Sequence, residues 1–142
     1  MLFRSLVTFP DKPRTQSRAL EFSGLQVQFS LTSAEIGRTV FAVGHAPWPG
    51  PMLADADMRQ SMGKTVIASM YRNLGVEAPA ELPEFGQPFE VEGGSGAAMV
   101  LRARVWLTAR GLVEGMVMGP AEGFPDAAAK EFLDSVAKGR QE

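Results

Sequence analysis

Residues 97–136 read AAMVLRARVWLTARGLVEGMVMGPAEGFPDAAAKEFLDSV, and this stretch decides the fold. From Ala98 to Thr108 apolar and polar side chains alternate: Met99, Leu101, Ala103, Val105 and Leu107 fall on one side, and Arg102, Arg104, Trp106 and Thr108 on the other. A period of two over that length predicts a β-strand with one face in a core. Ala109-Arg110-Gly111 supplies a reversal, since glycine tolerates the positive φ of short hairpin loops. Leu112 to Met118 returns as a second strand and Gly119-Pro120 ends it. Its weaker alternation, with Val113, Gly115 and Val117 interleaving Leu112, Glu114, Met116 and Met118, predicts burial on both faces.

Working outward toward the C-terminus, Pro125 and Asp126 suit a helix's first turn, where a missing N–H costs nothing and a carboxylate meets unpaired amides. Phe124, Ala128, Phe132 and Val136 recur at four-residue spacing, Ala129 and Leu133 widen the stripe, and Lys130, Glu131, Asp134 and Lys138 take the other side. This predicts an amphipathic helix laid on the sheet, with Gly139 as its C-terminal cap.

Toward the N-terminus, Ser5 to Phe9 reads as a short strand stopped by Pro10-Asp11-Lys12-Pro13, and Arg14 to Ser23 as polar sequence leading into the next strand. Leu25, Val27, Phe29 and Leu31 alternate with Gln26, Gln28, Ser30 and Thr32, which predicts a half-buried strand. Ser33 to Gly37 reads as a turn, and Arg38 to Ala46, rich in β-branched and aromatic residues, as another strand before the rigid loop Pro47-Trp48-Pro49-Gly50-Pro51. Asp55 or Asp57 then caps a helix whose stripe is Met58, Met62, Val66, Met70 and Leu74, broadened by Ile67 and Tyr71 and stopped at Gly75. A proline-rich connection, Pro79 to Gln87, precedes a short strand, Phe89 to Glu92, and Gly93-Gly94-Ser95-Gly96 leads into the hairpin. The order is β-β-β-α-β-β-β-α: an α+β layered domain over residues 1–142, with an antiparallel sheet of about six strands covered by helices.

Composition excludes several function classes. At 45% hydrophobic and 21% charged, the chain has ordinary globular composition. Its 14 basic and 16 acidic residues leave a net charge of −2, which provides no electrostatic footprint for nucleic acid. The absence of cysteine excludes disulfides, thiolate metal sites and a cysteine nucleophile. No apolar run approaches the roughly 18 residues of a membrane span. Met1-Leu2-Phe3-Arg4 runs almost directly into strand-like sequence and does not read as a signal peptide, so the expectation is a cytosolic chain, or a trimmed form of an exported one.

The residues that carry chemistry are few. Met62-Gly63-Lys64-Thr65 imitates the end of a phosphate-binding loop, but Met58 stands where that loop needs glycine, and the segment lies within a helix. His45 is the only histidine, and a triad or metal site needs partners for it. Asp55 and Asp57 suit a helix start better than a metal. Glu90 and Glu92 share a strand face, read as solvated, and Gly93 to Gly96 reads as a flexible hairpin loop rather than an anion cradle. No catalytic residue, metal or cofactor is expected. The strongest functional hint is the row Arg102, Arg104 and Trp106, a basic and aromatic sheet face able to contact an acidic or proline-rich partner, with Trp48 a second contact. The alternative is that a flanking element of this chain covers the row.

Val7-Thr8-Phe9-Pro10-Asp11-Lys12-Pro13, Arg102-Ala103-Arg104-Val105-Trp106-Leu107, Met118-Gly119-Pro120 and Phe132-Leu133-Asp134-Ser135, in that order with the central helix, resemble uncharacterised bacterial proteins of the Mog1p/PsbP-like superfamily. Gly86 stands before the strand that leads to the hairpin, as is common there, while Val136 occupies a position that is often aromatic. The resemblance spans nearly the whole chain and implies an α/β/α sandwich and a non-enzymatic accessory role. Relatives with known roles bind other proteins: a small-GTPase nuclear transport factor, a photosystem subunit, and chaperone-like adaptors for secreted effectors. Two expectations follow. One is a protein-binding or accessory module with a protein partner, including a homodimer through an exposed sheet edge. The other is a small-ligand or lipid binder, or a weak hydrolase, with a pocket near His45 or the Gly93 to Gly96 loop.

Overall fold

The computed structural model describes residues 13–93 and 98–140. The strand expected at Ser5 to Phe9 and most of the Gly93 to Gly96 loop lie outside these residues. Six strands are described: β1 (Arg14–Phe22), β2 (Leu25–Ile36), β3 (Thr39–Pro47), β4 (Phe89–Gly93), β5 (Met99–Leu107) and β6 (Gly111–Pro120). The helices are α1 (Gly50–Leu53), α2 (Ala56–Asn73) and α3 (Asp126–Arg140). The strands form one open antiparallel sheet in the order β1-β2-β3-β6-β5-β4, an α+β arrangement.

The hairpin stretch behaves as its periodicity predicts. Leu101, Ala103 and Val105 pack with Met62, Ile67 and Met70 of α2, while Trp106, on the other face, packs with Phe132, Leu133 and Val136 of α3. The sheet therefore has a helix against each face. β6 lies between β3 and β5, and its buried residues contribute to both cores: Leu112 to the α2 side, Val113 and Val117 to the α3 side. On the α3 side Phe41 and Phe132 meet edge to face, with ring centroids 5.4 Å apart.

Three element assignments change. Arg14 to Phe22 is a strand, not a lead-in; it is exposed nearly throughout, only Phe22 at its end packs against the α2-side core, and its pairing with β2 is what makes it a strand. Ser33 to Ile36 continues β2 rather than turning, because Ser33 pairs with Arg14 and Ala42, and Ile36 with Thr39. The reversal falls on Gly37, at φ 61°, and Arg38. The proline loop contains the four-residue helix α1. At the other end, α3 runs through Gly139 to Arg140, so that glycine does not cap it. The stripe of α3 is centred on Ala129, Phe132, Leu133 and Val136, with Ala128 exposed. Gly111 serves the hairpin for a different reason than expected. It has no positive φ, but a side chain there would strike the Ala46 carbonyl and lie 2.9 Å from the Pro47 Cα of β3.

Candidate functional site

Arg102 and Arg104 project from β5 toward α3, and the structure brings both into one network. Arg102 Nε donates to Glu90 Oε1 on neighbouring β4 at 2.8 Å, and its Nη2 meets Asp126 in the first turn of α3. Its guanidinium also lies 5.1 Å from the centre of the Phe124 ring. Arg104 donates from Nε and Nη2 to the Gly86 carbonyl, at 3.1 and 2.9 Å, stands 3.6 Å from Asp134, and lies 5.1 Å over the Trp106 ring. Lys130 Nζ donates to the other oxygen of Asp134 at 3.0 Å. The Arg102 guanidinium holds the Glu90 carboxyl below the usual carboxylate range, chiefly through that hydrogen bond.

The row expected to face a partner is thus covered largely by this chain's own α3. Trp106 is 5% exposed and belongs to the α3-side core. Trp48 is 6% exposed; its indole N–H donates to the Thr108 carbonyl at 2.8 Å, locking the end of β3 to the β5–β6 hairpin. Trp106 is buried under α3 and Trp48 in the core on the α2 side, so neither presents a contact surface. α3 and the β4–β5 edge leave a groove of about 380 Å³, bounded by Phe89, Glu90, Arg102, Arg104, Lys130 and Leu133.

The remaining candidates disperse. His45 is half-buried on the α3 side of β3, opposite Ser30 of β2 and Val113 of β6, and burial lowers its pKa below the usual histidine value. It lines neither this groove nor a second hollow of about 460 Å³ between Leu53, Arg59, Gln60 and Thr108. Asp55 is the N-cap of α2, accepting from the Met58 amide at 3.0 Å, and Asp57 lies in the first turn. Gly63, from the phosphate-loop imitation, is buried in α2 where a Cβ would meet the Phe85 ring at 2.6 Å; close packing accounts for it, and Lys64 is exposed. Among the described residues no group of three or more His, Asp or Glu is arranged to hold a metal ion. Among them, too, no helix is long and apolar enough to cross a membrane.

Periodicity did not single out Glu114. It is 6% exposed on the central strand β6, and burial pushes its carboxyl up to about 7. The available signal was its place in a strand read as buried on both faces. Comparison with protein-family models, with curated proteins and with solved structures finds no match to this chain.

Proposed function

We propose that this chain is a non-catalytic protein-binding or accessory domain whose contact site is the groove between α3 and the β4–β5 edge. One observation supports the reading: the groove adjoins β4, the last of the described strands in the sheet order, so an apolar hollow and a strand edge lie side by side among the described residues. An extended segment of a partner adds to such an edge through main-chain hydrogen bonds, and its alternate side chains enter the hollow. The ion pairs of Arg102, Arg104 and Lys130 set the groove's shape. Kinship with the Mog1p/PsbP-like superfamily, and with it the α/β/α sandwich of that family, belongs to the same proposal. Its support is the strand and helix order together with a helix against each sheet face.

The test is a photo-reactive phenylalanine analogue placed at Lys130, exposed on the groove, and separately at Lys64, exposed on α2. Irradiation in the native host is expected to yield a polypeptide adduct at position 130 that is missing at position 64, with the cross-link mapping to one segment of one protein. No adduct at position 130, or the same adducts at both positions, refutes the groove as the contact site.

A further inference from the structure

Glu114 occupies the middle of β6, opposite Gly44 of β3 and Val105 of β5. Alternation along β6 places its side chain on the α2 side, with Leu112 and Met116. A Cβ on Gly44 would lie 2.7 Å from Glu114 Cγ and 2.8 Å from the Phe29 ring, so the glycine opens the space that the carboxyl stem fills. The surrounding strand positions on this face carry no charge: Ala42 and Ala46 on β3, Ala103, Val105 and Leu107 on β5, and Phe29 and Leu31 on β2. The buried residues of α2 are Met62, Gly63, Ile67 and Met70. Its charged ones turn elsewhere: Asp57, Lys64 and Arg72 are exposed, and Arg59 donates to the Met52 and Leu53 carbonyls. On the sheet, β1 places Arg14 and Arg18 on this face, opposite Ser33 and Phe29, three strands from Glu114 and roughly 14 Å or more away at ordinary strand spacing. Among the described residues the Glu114 carboxyl has no hydrogen bond or ion pair, and none of their buried side-chain oxygens is left unpartnered, so the carboxyl keeps a narrow edge to solvent.

We propose that Glu114 is a proton-operated device: neutral, it completes the α2-side core between β3 and β5, and ionised, it loosens that core. An ionised carboxylate with apolar neighbours and only a narrow edge to water is disfavoured, whereas the neutral acid is held there at lower cost. Burial raises the folded-state pKa from 4.5 to about 7, so the stabilising contribution is complete below the unfolded value and is lost as pH rises toward 7. For those two values the folding constant falls about 70-fold between pH 5 and pH 8 through this group alone. His45 works in the opposite direction, since burial disfavours its charged form, and replacing Glu114 leaves that contribution in place.

The experiment compares urea unfolding of the wild-type chain and Glu114→Gln from pH 5 to pH 8, alongside the carboxyl carbon resonance of Glu114 in wild type labelled at glutamate. Expected are a carboxyl titration near pH 7, and a ratio of wild-type to variant folding constants that falls by about 70-fold from pH 5 to pH 8. A carboxyl that titrates below pH 5, or a ratio that stays constant across the range, overturns the proposal. The titration uses wild type and so decides the matter even if the variant does not fold.

Discussion

Arg102 and Arg104 are two residues apart on one strand face and look equivalent in sequence, yet the structure gives them different work. Arg104, with its side chain 21% exposed, donates twice to the Gly86 carbonyl and stacks on Trp106, so its planar fork is used as a fork. Arg102 joins carboxylates that water also reaches, its side chain 32% and that of Glu90 38% exposed. Exposed pairs of that kind contribute at most about 1 kcal/mol. Arg104→Lys is therefore expected to cost about 1–2 kcal/mol and Arg102→Lys less than about 1 kcal/mol in urea unfolding. The reverse order refutes this division of roles. The shared face of the two arginines was legible from period two alone. That α3 would cover Trp106 was not, because alternation tells which side a residue faces and nothing about what lies there.

At the scale of elements, α2 shows what local chemistry settles and what it leaves open. Both Asp55 and Asp57 are good caps by residue type. The chain selects Asp55, whose carboxylate accepts the Met58 amide, and leaves Asp57 as a favourable charge in the first turn. Asp55→Ala is expected to lower stability by about 1 kcal/mol and Asp57→Ala by a few tenths, measured by thermal or urea unfolding. Equal losses would mean that the cap does not discriminate between them. The strands divide in the same manner. β5 declares itself by alternation, whereas β1, with the sequence RTQSRALEF, carries large apolar residues only at its end, Leu20 and Phe22, too few to declare a strand. Its strand character comes from β2, through nine paired positions and the hydroxyl contacts Thr15 to Thr32 and Ser17 to Ser30, at 3.0 and 3.1 Å.

Across the whole molecule, the sheet is anchored unevenly. β3, β6 and β5 sit in its middle with cores on both faces, while β1 forms one edge and is exposed on both faces for most of its length. Local opening is cheapest where few apolar contacts must be broken. Native-state hydrogen exchange is expected to show β1 amides exchanging by local opening, at least roughly 100-fold less protected than those of β6. Equal protection would place β1 in the same cooperative unit as the central strands. The groove lies at the opposite edge, by β4, so the reading of that edge as a contact site does not depend on how β1 behaves.

The amino-acid sequence by itself determined the α+β class, the hairpin at residues 99–120, the second and third strands in outline, the two amphipathic helices and the absence of cysteine chemistry. Each of these follows from local periodicity, turn residues or composition. Only the tertiary structure decided the sheet order, the strand identity of Arg14 to Phe22, the burial of Trp48, Trp106 and Glu114, and the enclosure of Arg102 and Arg104 beside a groove. The physical reason is that hydrogen-bond pairing and burial join residues far apart in the chain. Glu114 is an ordinary polar residue along β6 and becomes a buried acid only once β3 and β5 have paired on either side of it.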